Sequence, residues 1–444
     1  VVNLAAAPPS AYQRAMNPVT GSAWDGPSVS SAGLAALAVG GVQARILETN
    51  GASYNYWNSG VGLFNQPDGS LAWFNANSGT PLSWSYSHAA LDGQLVSGRN
   101  YLVQTRAADA ALPSNVGPTI NGVDSLFTLS KDSVPFTFDN VPAASTVTTP
   151  LPGAVISALA SISGTAADAL SGMANGSLIE VSLQEIAPGG AYWTGVVPGT
   201  FTLSGAEPWY PISTLTGGAF AGGLWSFTAP LFTDQFTYRV RVRARDNAQP
   251  GGNLQPVVSS ITFTIDSSLP SASVTYPIGL PASQGNLKAL TVINGAAADQ
   301  FGIQATSVSI QHAGTLKYYD PGTGLFNSTP AKYLGATMSS PGCTNCTWTL
   351  AAVGLADTST YTIVAVGWDV SGNPSPPSAP VQIRFDTTPP TSGVVAPLTA
   401  GFIKDMTTVT GTAADPNIEG AQVAGSQINI QRGSDSNYWT GAGW

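Results

Sequence analysis

Along most of the chain, apolar and polar residues alternate with a period of two, in short runs broken by Gly, Pro, Asn and Ser. Tyr238-Arg-Val-Arg-Val-Arg-Ala-Arg245 is the clearest run, and Ser307-Val-Ser-Ile-Gln311 is another. Successive side chains on a strand point to opposite faces, so such runs predict strands with one buried and one solvated face. No long stretch carries the spacing of an amphipathic helix. Ser31 to Val39, rich in Ala and Leu and flanked by Gly, predicts at most a turn of helix in a loop. Many short strands with turn signals between them predict an all-β chain of sandwiches.

The pattern recurs. Gly-x-Ala-x-Asp occurs four times, at Gly21–Asp25, Gly164–Asp168, Gly295–Asp299 and Gly411–Asp415. The aspartates are 143, 131 and 116 residues apart (168−25, 299−168, 415−299). Downstream of each comes an aromatic pair: Tyr56-Trp57, Tyr192-Trp193, Tyr318-Tyr319 and Tyr438-Trp439. A lone Trp follows in the first three repeats (Trp84, Trp225, Trp348), then a strand from Tyr to Asp (Tyr101–Asp109, Tyr238–Asp246, Tyr361–Asp369). Each of these repeats closes on a strand ending at Asp139, Asp266 or Asp386, with a Pro-bearing linker beyond. A period of this size is one small domain, so the chain reads as a tandem array. The boundaries are 10–139, 140–266 and 267–386 for three repeats and 387–444 for part of a fourth. Residues 1–9 resemble the close of a repeat, Val381–Pro390, and read as the end of a preceding repeat or a linker. The chain thus looks like a window on a longer polypeptide.

Only 9% of the residues are charged, against 49 Gly, 33 Pro and a hydrophobic content of 43%, enough to build packed cores. No run approaches the roughly 18 apolar residues of a membrane span. The formal net charge of −9 disfavours nucleic acid and anionic membrane as partners, which need basic surface, and is compatible with divalent cations. Scarce Lys and abundant Ser, Thr, Asn and Gly suit an extracellular surface.

The two cysteines, Cys343 and Cys346, stand in a Gly/Asn turn. A disulfide pinning that turn is the favoured reading in a secreted chain. A redox motif would want a βαβ setting, and zinc would want two more ligands, of which His88 and His312 are the chain's histidines.

The order of Gly-Thr-Ala-Ala-Asp, aromatic pair, Trp strand, Tyr strand, Asp-x-x-Gly-Asn turn and Thr-Thr-Pro-Pro resembles bacterial immunoglobulin-like repeats. Asp369-Val-Ser-Gly-Asn373 and Asp386-Thr-Thr-Pro-Pro390 are the best matches. The first repeat is the most divergent: Asp109–Asn115 lacks the Gly, and an insertion from about Pro118 to Ser133 precedes its last strand. Asp246–Asn253 carries three extra residues. The resemblance implies all-β tandem immunoglobulin-like (fibronectin-III-like) sandwiches in an elongated array on a bacterial cell surface or in a secreted protein.

On that sandwich, the loop after Gly-x-Ala-x-Asp and the Asp-x-x-Gly-Asn turn lie at the end where the domain begins, beside the aspartate that ends the preceding repeat. Three carboxylates would then meet at each junction: Asp139, Asp168 and Asp246; Asp266, Asp299 and Asp369; and Asp386 with Asp415. Asn253 and Asn373 would add oxygen. Ca²⁺ takes six to eight such oxygens at about 2.3–2.6 Å, and a bound ion would stiffen the joint. The competing reading is that these aspartates cap turns through nearby backbone N–H groups.

The aromatic pairs have two readings as well. Tyr56, Trp57, Tyr192, Trp193, Tyr438 and Trp439 either stack on glycans from loops or fill the sandwich core; recurrence in every repeat favours the core. Arg239, Arg241, Arg243 and Arg245 share one strand face, where they would either bind a polyanion or, the favoured reading, pair with Glu180 and Glu185 on a neighbouring strand. The histidines lie in different repeats, no nucleophile elbow is present and no Gly run continues into a phosphate loop, so enzymatic activity is not expected. The chain reads as a structural rod, stalk, adhesin shaft or filament subunit whose partners are neighbouring repeats or copies, with surface glycans or proteins as further candidates. The half repeat would leave strand edges open to a second chain. The alternative is carbohydrate-binding accessory modules of a secreted enzyme or adhesin.

Overall fold

The period-two runs are strands, and within each of the first three repeats they pair into two sheets. The computed structural model describes residues 2–3, 12–24, 33–50, 55–111, 116–117, 132–280, 285–399, 401–416 and 423–444. Asp25 and most of the 118–133 insertion lie outside these residues. The chain divides into two compact units, Val1–Ala154 with Leu159–Thr264, and Val155–Ala158 with Ile265–Trp444. The first unit holds the first two sandwiches, and the second holds the third with the opening strands of a fourth.

The third domain shows the plan. One sheet runs Ser271–Tyr276, Val292–Ala298, Asn345–Ala351, Thr337–Met338, all antiparallel. The other runs Asn286–Leu287, Val381–Phe385, Ser359–Asp369, Ile303–His312, Lys317–Asp320, Leu325–Ser328, with Leu334–Gly335 also on Ile303–His312. Only the first of these pairings, Asn286–Leu287 with Val381–Phe385, is parallel. Neighbours that are distant in sequence, such as Val292–Ala298 and Asn345–Ala351, mark the crossed connections of a two-sheet sandwich. The second domain repeats the order with Ala144–Thr149, Ser161–Ala167, Leu224–Thr228 and Ala219–Ala221 on one side. On the other it places Ser259–Ile265, Thr237–Ala244, Ile179–Ala187, Tyr192–Trp193 and Phe201–Leu203. The only α-helix among the described residues is the single turn Leu91–Gln94, and the Ala/Leu-rich run supplies a 3-10 turn at Leu37–Val39. No helix among them is long and apolar enough to cross a membrane.

The N-terminus departs from the sequence expectation. Val2–Asn3 pairs antiparallel with Val19–Gly21, as Ala144–Thr149 pairs with Ser161–Ala167. These residues are therefore the opening strand of the first sandwich rather than the end of a preceding repeat or a linker. The closing and opening strands of a repeat share the same apolar alternation followed by proline, so composition does not separate them. In the fourth segment Thr391–Ala396 pairs with Thr410–Ala414, placing Val394 opposite Gly411.

The recurring residues are structural. Trp84, Trp225 and Trp348 lie buried between the sheets, and the motif glycine makes room for the ring. A Cβ on Gly295 would stand 2.0 Å from Trp348 Cζ2 and 2.2 Å from Ser273 O; one on Gly164 would stand 2.4 Å from Trp225 Cζ2 and 1.9 Å from Thr146 O. The motif alanines, Ala166 and Ala297, face the core at 1% and 3% exposure. Tyr101, Tyr238 and Tyr361 are buried, and each hydroxyl accepts from the backbone N–H five residues upstream, at Val96, Thr233 and Ala356 (2.9, 2.8 and 2.7 Å). This clamp is invisible in a one-dimensional pattern, because its acceptor is a side chain and its donor an unmarked loop amide.

Three of the four arginines in the row, Arg239, Arg241 and Arg243, have side-chain partners. Glu180 lies opposite Arg243 in register and meets it at 2.7 Å, as the charge pattern predicts. Glu185 falls opposite Tyr238 instead, and Arg241 pairs with Glu207 from a loop while Arg239 meets Gln184. Arg243 stacks over Trp209 at 4.0 Å, and in the first domain Arg45 and Arg106 lie 4.5 and 4.3 Å from the Trp73 ring. Occupied guanidinium groups of this kind leave little for a polyanion.

Gly295→Ala is expected to lower stability by about 3 kcal/mol, because its new carbon meets ring and backbone at once. Gly335→Ala, where nothing lies within 4 Å, is expected to change it by less than about 0.5 kcal/mol. Paired denaturant melts of the two variants check this.

Candidate functional site

Each of the second and third domains gathers three aspartates at the end where its chain enters. Asp139 follows the strand Ser133–Phe138, Asp168 follows Ser161–Ala167, and Asp246 stands just past Thr237–Ala244. One carboxylate oxygen from each lies within 4.8 Å of the other two. Asp266 in the linker, Asp299 after Val292–Ala298 and Asp369 at the end of Ser359–Asp369 repeat the arrangement with the same limit. In each trio the linker aspartate and the Asp-x-x-Gly-Asn aspartate (its Asp246 counterpart in the second domain) are buried, and the motif aspartate is half-buried.

The turns explain the placement. Each aspartate sits where a strand ends, and in all of them but Asp266 the Oδ1 accepts from an amide of the turn that follows. Asp168 Oδ1 accepts from the N–H of Leu170 and Gly172 at 3.0 and 2.8 Å, and Asp299 Oδ1 from Phe301 and Gly302 at 2.7 and 3.2 Å. Asp246 Oδ1 takes Ala248 and Asn253, and Asp369 Oδ1 takes Asn373 at 2.8 Å. The turn-capping role is therefore present. The same bonds also aim the carboxylates at one another.

The linker aspartates are tied to the domain they enter. Asp139 Oδ2 accepts from Ser171 N–H at 3.1 Å, and Asp266 Oδ2 from the Ser371 hydroxyl at 3.0 Å. Asn253 and Asn373 act here as clasps, which corrects their sequence role as oxygen ligands. Asn253 Nδ2 donates to Asp139 O and Asp246 Oδ2, both at 2.8 Å. Asn373 Nδ2 donates to Asp266 O and Asp369 Oδ2, also at 2.8 Å. With an acceptor on either side, the amide has to present nitrogen, and the carboxamide oxygen is turned away.

Three carboxylates at this spacing repel, and among the described residues none of the six aspartates enters an ion pair. Burial raises the carboxyl pKa of Asp266 above its ordinary 3.8, with the nearby charges of Asp299 and Asp369 adding to the rise. Burial likewise raises that of Asp246, against the bonds from Asn253 and Ala248, and the charge of Asp139 contributes in the same direction. Asp266 Oδ1 is buried with no hydrogen-bond partner. Hard anionic oxygen, excess negative charge and an unpartnered buried acceptor fit a hard divalent cation such as Ca²⁺.

The other predicted residues fall elsewhere. Asp386 and Asp415 do not join a third carboxylate in such a group among the described residues. The linker after Asp386 is held instead by Asp357, whose carboxylate accepts from Thr387 N–H and from the Thr388 hydroxyl at 2.6 Å each. Cys343 and Cys346 are joined as a disulfide. Trp57 and Trp193 are fully buried, their indole N–H groups donating to Tyr86 Oη and Val196 O at 3.0 Å. They cannot stack on a glycan, and Tyr56 and Tyr192 beside them are half-buried. Tyr438 and Trp439, in the fourth segment, are exposed.

No family model and no curated protein matches the chain. Among solved structures it is similar to the chicken CNTN1 FN1–FN3 domains, at 10% identity and a TM-score of 0.28, covering 83% of this chain and 94% of that one. It is also similar to the chicken interferon gamma receptor alpha chain, at 10% identity and a TM-score of 0.19, covering 55% and 98%. The sandwich assignment rests on the strand order above.

With folded-state pKa values of Asp246 and Asp266 above the unfolded 3.8, the folded chain binds more protons than the unfolded chain in the interval between them. Stability is therefore lost as pH rises through that interval and regained as pH falls. The melting temperature of chelator-treated protein is expected to rise from neutral pH towards 3.8. Asp68 and Asp357, held low by Ser70 and Thr388, lose their contributions only as pH falls below that value. Calorimetric melts across this range check the sign. Asn373→Ala is expected to cost about 2 kcal/mol by orphaning buried acceptors and to speed amide exchange at Ser371 and Asn373.

Proposed function

We propose that the chain is a structural spacer: a run of immunoglobulin-like sandwiches forming part of a shaft or stalk of a secreted or surface-attached bacterial protein, with Ca²⁺ at its two aspartate clusters. The observation that carries this reading is the doubled trio. A linker aspartate, a motif aspartate and a turn aspartate come within 4.8 Å in each of two domains. A catalytic site has no need to be built once per repeat from the linker; a joint does.

The chain's own groups do most of the work. Asn253 and Asn373 grip the linker carbonyls, Ser171 and Ser371 grip the linker carboxylates, and the turn amides fix the remaining four aspartates. Bound Ca²⁺ would supply the positive charge that these buried anions lack, with Asp139, Asp168 and Asp246 as one ligand set and Asp266, Asp299 and Asp369 as the other. Each linker would then be fixed to the domain that it enters. The disulfide and the low content of charged residues support an oxidising, extracellular setting.

The full chain in chelator-stripped buffer is expected to bind two Ca²⁺ per molecule by titration calorimetry and to melt at a higher temperature with the ion. Asp168→Asn or Asp299→Asn is expected to leave one. Small-angle scattering is expected to show a longer, more narrowly distributed maximum dimension with Ca²⁺ than with chelator. No heat of binding and identical scattering would overturn the proposal.

A further inference from the structure

The turn that carries Asp299 does not stand alone. Asp299 N–H donates to Thr344 O at 3.0 Å, Ile303 N–H to Cys343 O at 3.0 Å, and Gly342 N–H back to Ile303 O at 2.8 Å. Both ends of the Asp299 turn are thus hydrogen-bonded to the turn closed by the Cys343–Cys346 disulfide. The approach is backbone on backbone: a Cβ on Gly302 would stand 2.5 Å from Gly342 O. Phe301 and Gly302, whose amides hold the Asp299 carboxylate, lie within this bonded segment. Cys346 is anchored in the core at 2% exposure, opposite Ala297 in the strand that leads to Asp299. Cys343 is half-buried and packs against the same core cluster.

The second domain has nothing comparable. The chain's two cysteines are both in the third, and the strand leading to Asp168 is met at the same place by Gly223, whose carbonyl accepts from Ala166 N–H at 2.9 Å. The two aspartate trios therefore match in the kind of ligand they offer and differ in what stands behind the motif aspartate.

We propose that the Cys343–Cys346 disulfide is a positioning element for the Asp266–Asp299–Asp369 cation site, so that cation affinity there, and not at Asp139–Asp168–Asp246, depends on the oxidised state of the pair. This rests on the cation reading given above. It also draws on the buried Asp266 Oδ1, which has no partner within the protein. A dithiol reductant delivers two electrons and two protons: the S–S bond breaks, Cys343 and Cys346 become thiols, and the reductant closes its own disulfide. The Asp299 turn then loses the fixed loop on which its amides rest. Groups that orient metal ligands from behind are commonly worth 10-fold to 100-fold in affinity.

The test is a CaCl₂ titration of the full chain by calorimetry, oxidised and after dithiothreitol, with the near-ultraviolet tryptophan signal confirming that the reduced protein stays folded. The Cys343→Ser/Cys346→Ser double variant is run alongside; should it fail to fold, the reductant experiment decides. The oxidised chain is expected to show two sites, and the reduced chain one unchanged site and one weakened by about tenfold or more. In Asp299→Asn, reduction is expected to change nothing. Two sites of unchanged affinity after reduction would overturn the disulfide's role and leave the cation reading standing. Equal weakening of both sites would overturn it too, as a general loosening. An oxidised chain that binds no Ca²⁺ overturns both.

Discussion

A carboxylate taken out of water needs donors or a cation, and that requirement governs how each linker enters the domain beyond it. Asp139 and Asp266 are fully buried, so each needs donors from the domain that it enters. They have to lie where Ser171 or Ser371 and the Asn253 or Asn373 clasp can reach them. The two turn loops are shaped by the same demand, because each spends its own amides on its own aspartate. Strand ends, loop lengths and linker path are thereby settled by a handful of oxygens.

The period of two, the repeat length and the meeting of Asp139 with Asp168 and Asp246 were all legible in the sequence. They follow from strand geometry and from the order of elements in a sandwich. What was not legible depends on atoms that composition does not describe. An asparagine carries both a donor and an acceptor, and only the neighbouring carbonyl and carboxylate decide which end faces inward. Glu185 stands on the strand that the charge pattern singles out, but it lies an odd number of residues from Glu180, so the same unbroken register that sets Glu180 opposite Arg243 sets Glu185 opposite Tyr238. Val2–Asn3 has the look of a closing strand because opening and closing strands obey the same alternation.

The glycine of Gly-x-Ala-x-Asp illustrates how one short motif carries three separate demands. Its glycine is a seat for the tryptophan of the adjacent strand, its alanine fills the core, and its aspartate shapes the turn. The spacing of the three is the spacing of one strand's inward face followed by its exit. A fault at the glycine would therefore propagate to the carboxylate two pairs further on.

The turn from Asp246 to Asn253 is longer than its Asp369–Asn373 counterpart, and the extra length reaches back into the first domain. Gln249 bridges Gln13 in parallel, with Gln249 N–H donating to Tyr12 O, Arg14 N–H to Gln249 O, and the Arg14 guanidinium to Gly252 O at 2.7 Å. Tyr12–Gln13 is the outermost strand of its sheet, the kind of bare edge that invites pairing with a foreign strand. The inserted residues shield it. A difference in loop length between otherwise similar repeats thus covers an edge on a domain that the loop does not belong to, and trimming the loop would leave the backbone groups of that edge without these bonds.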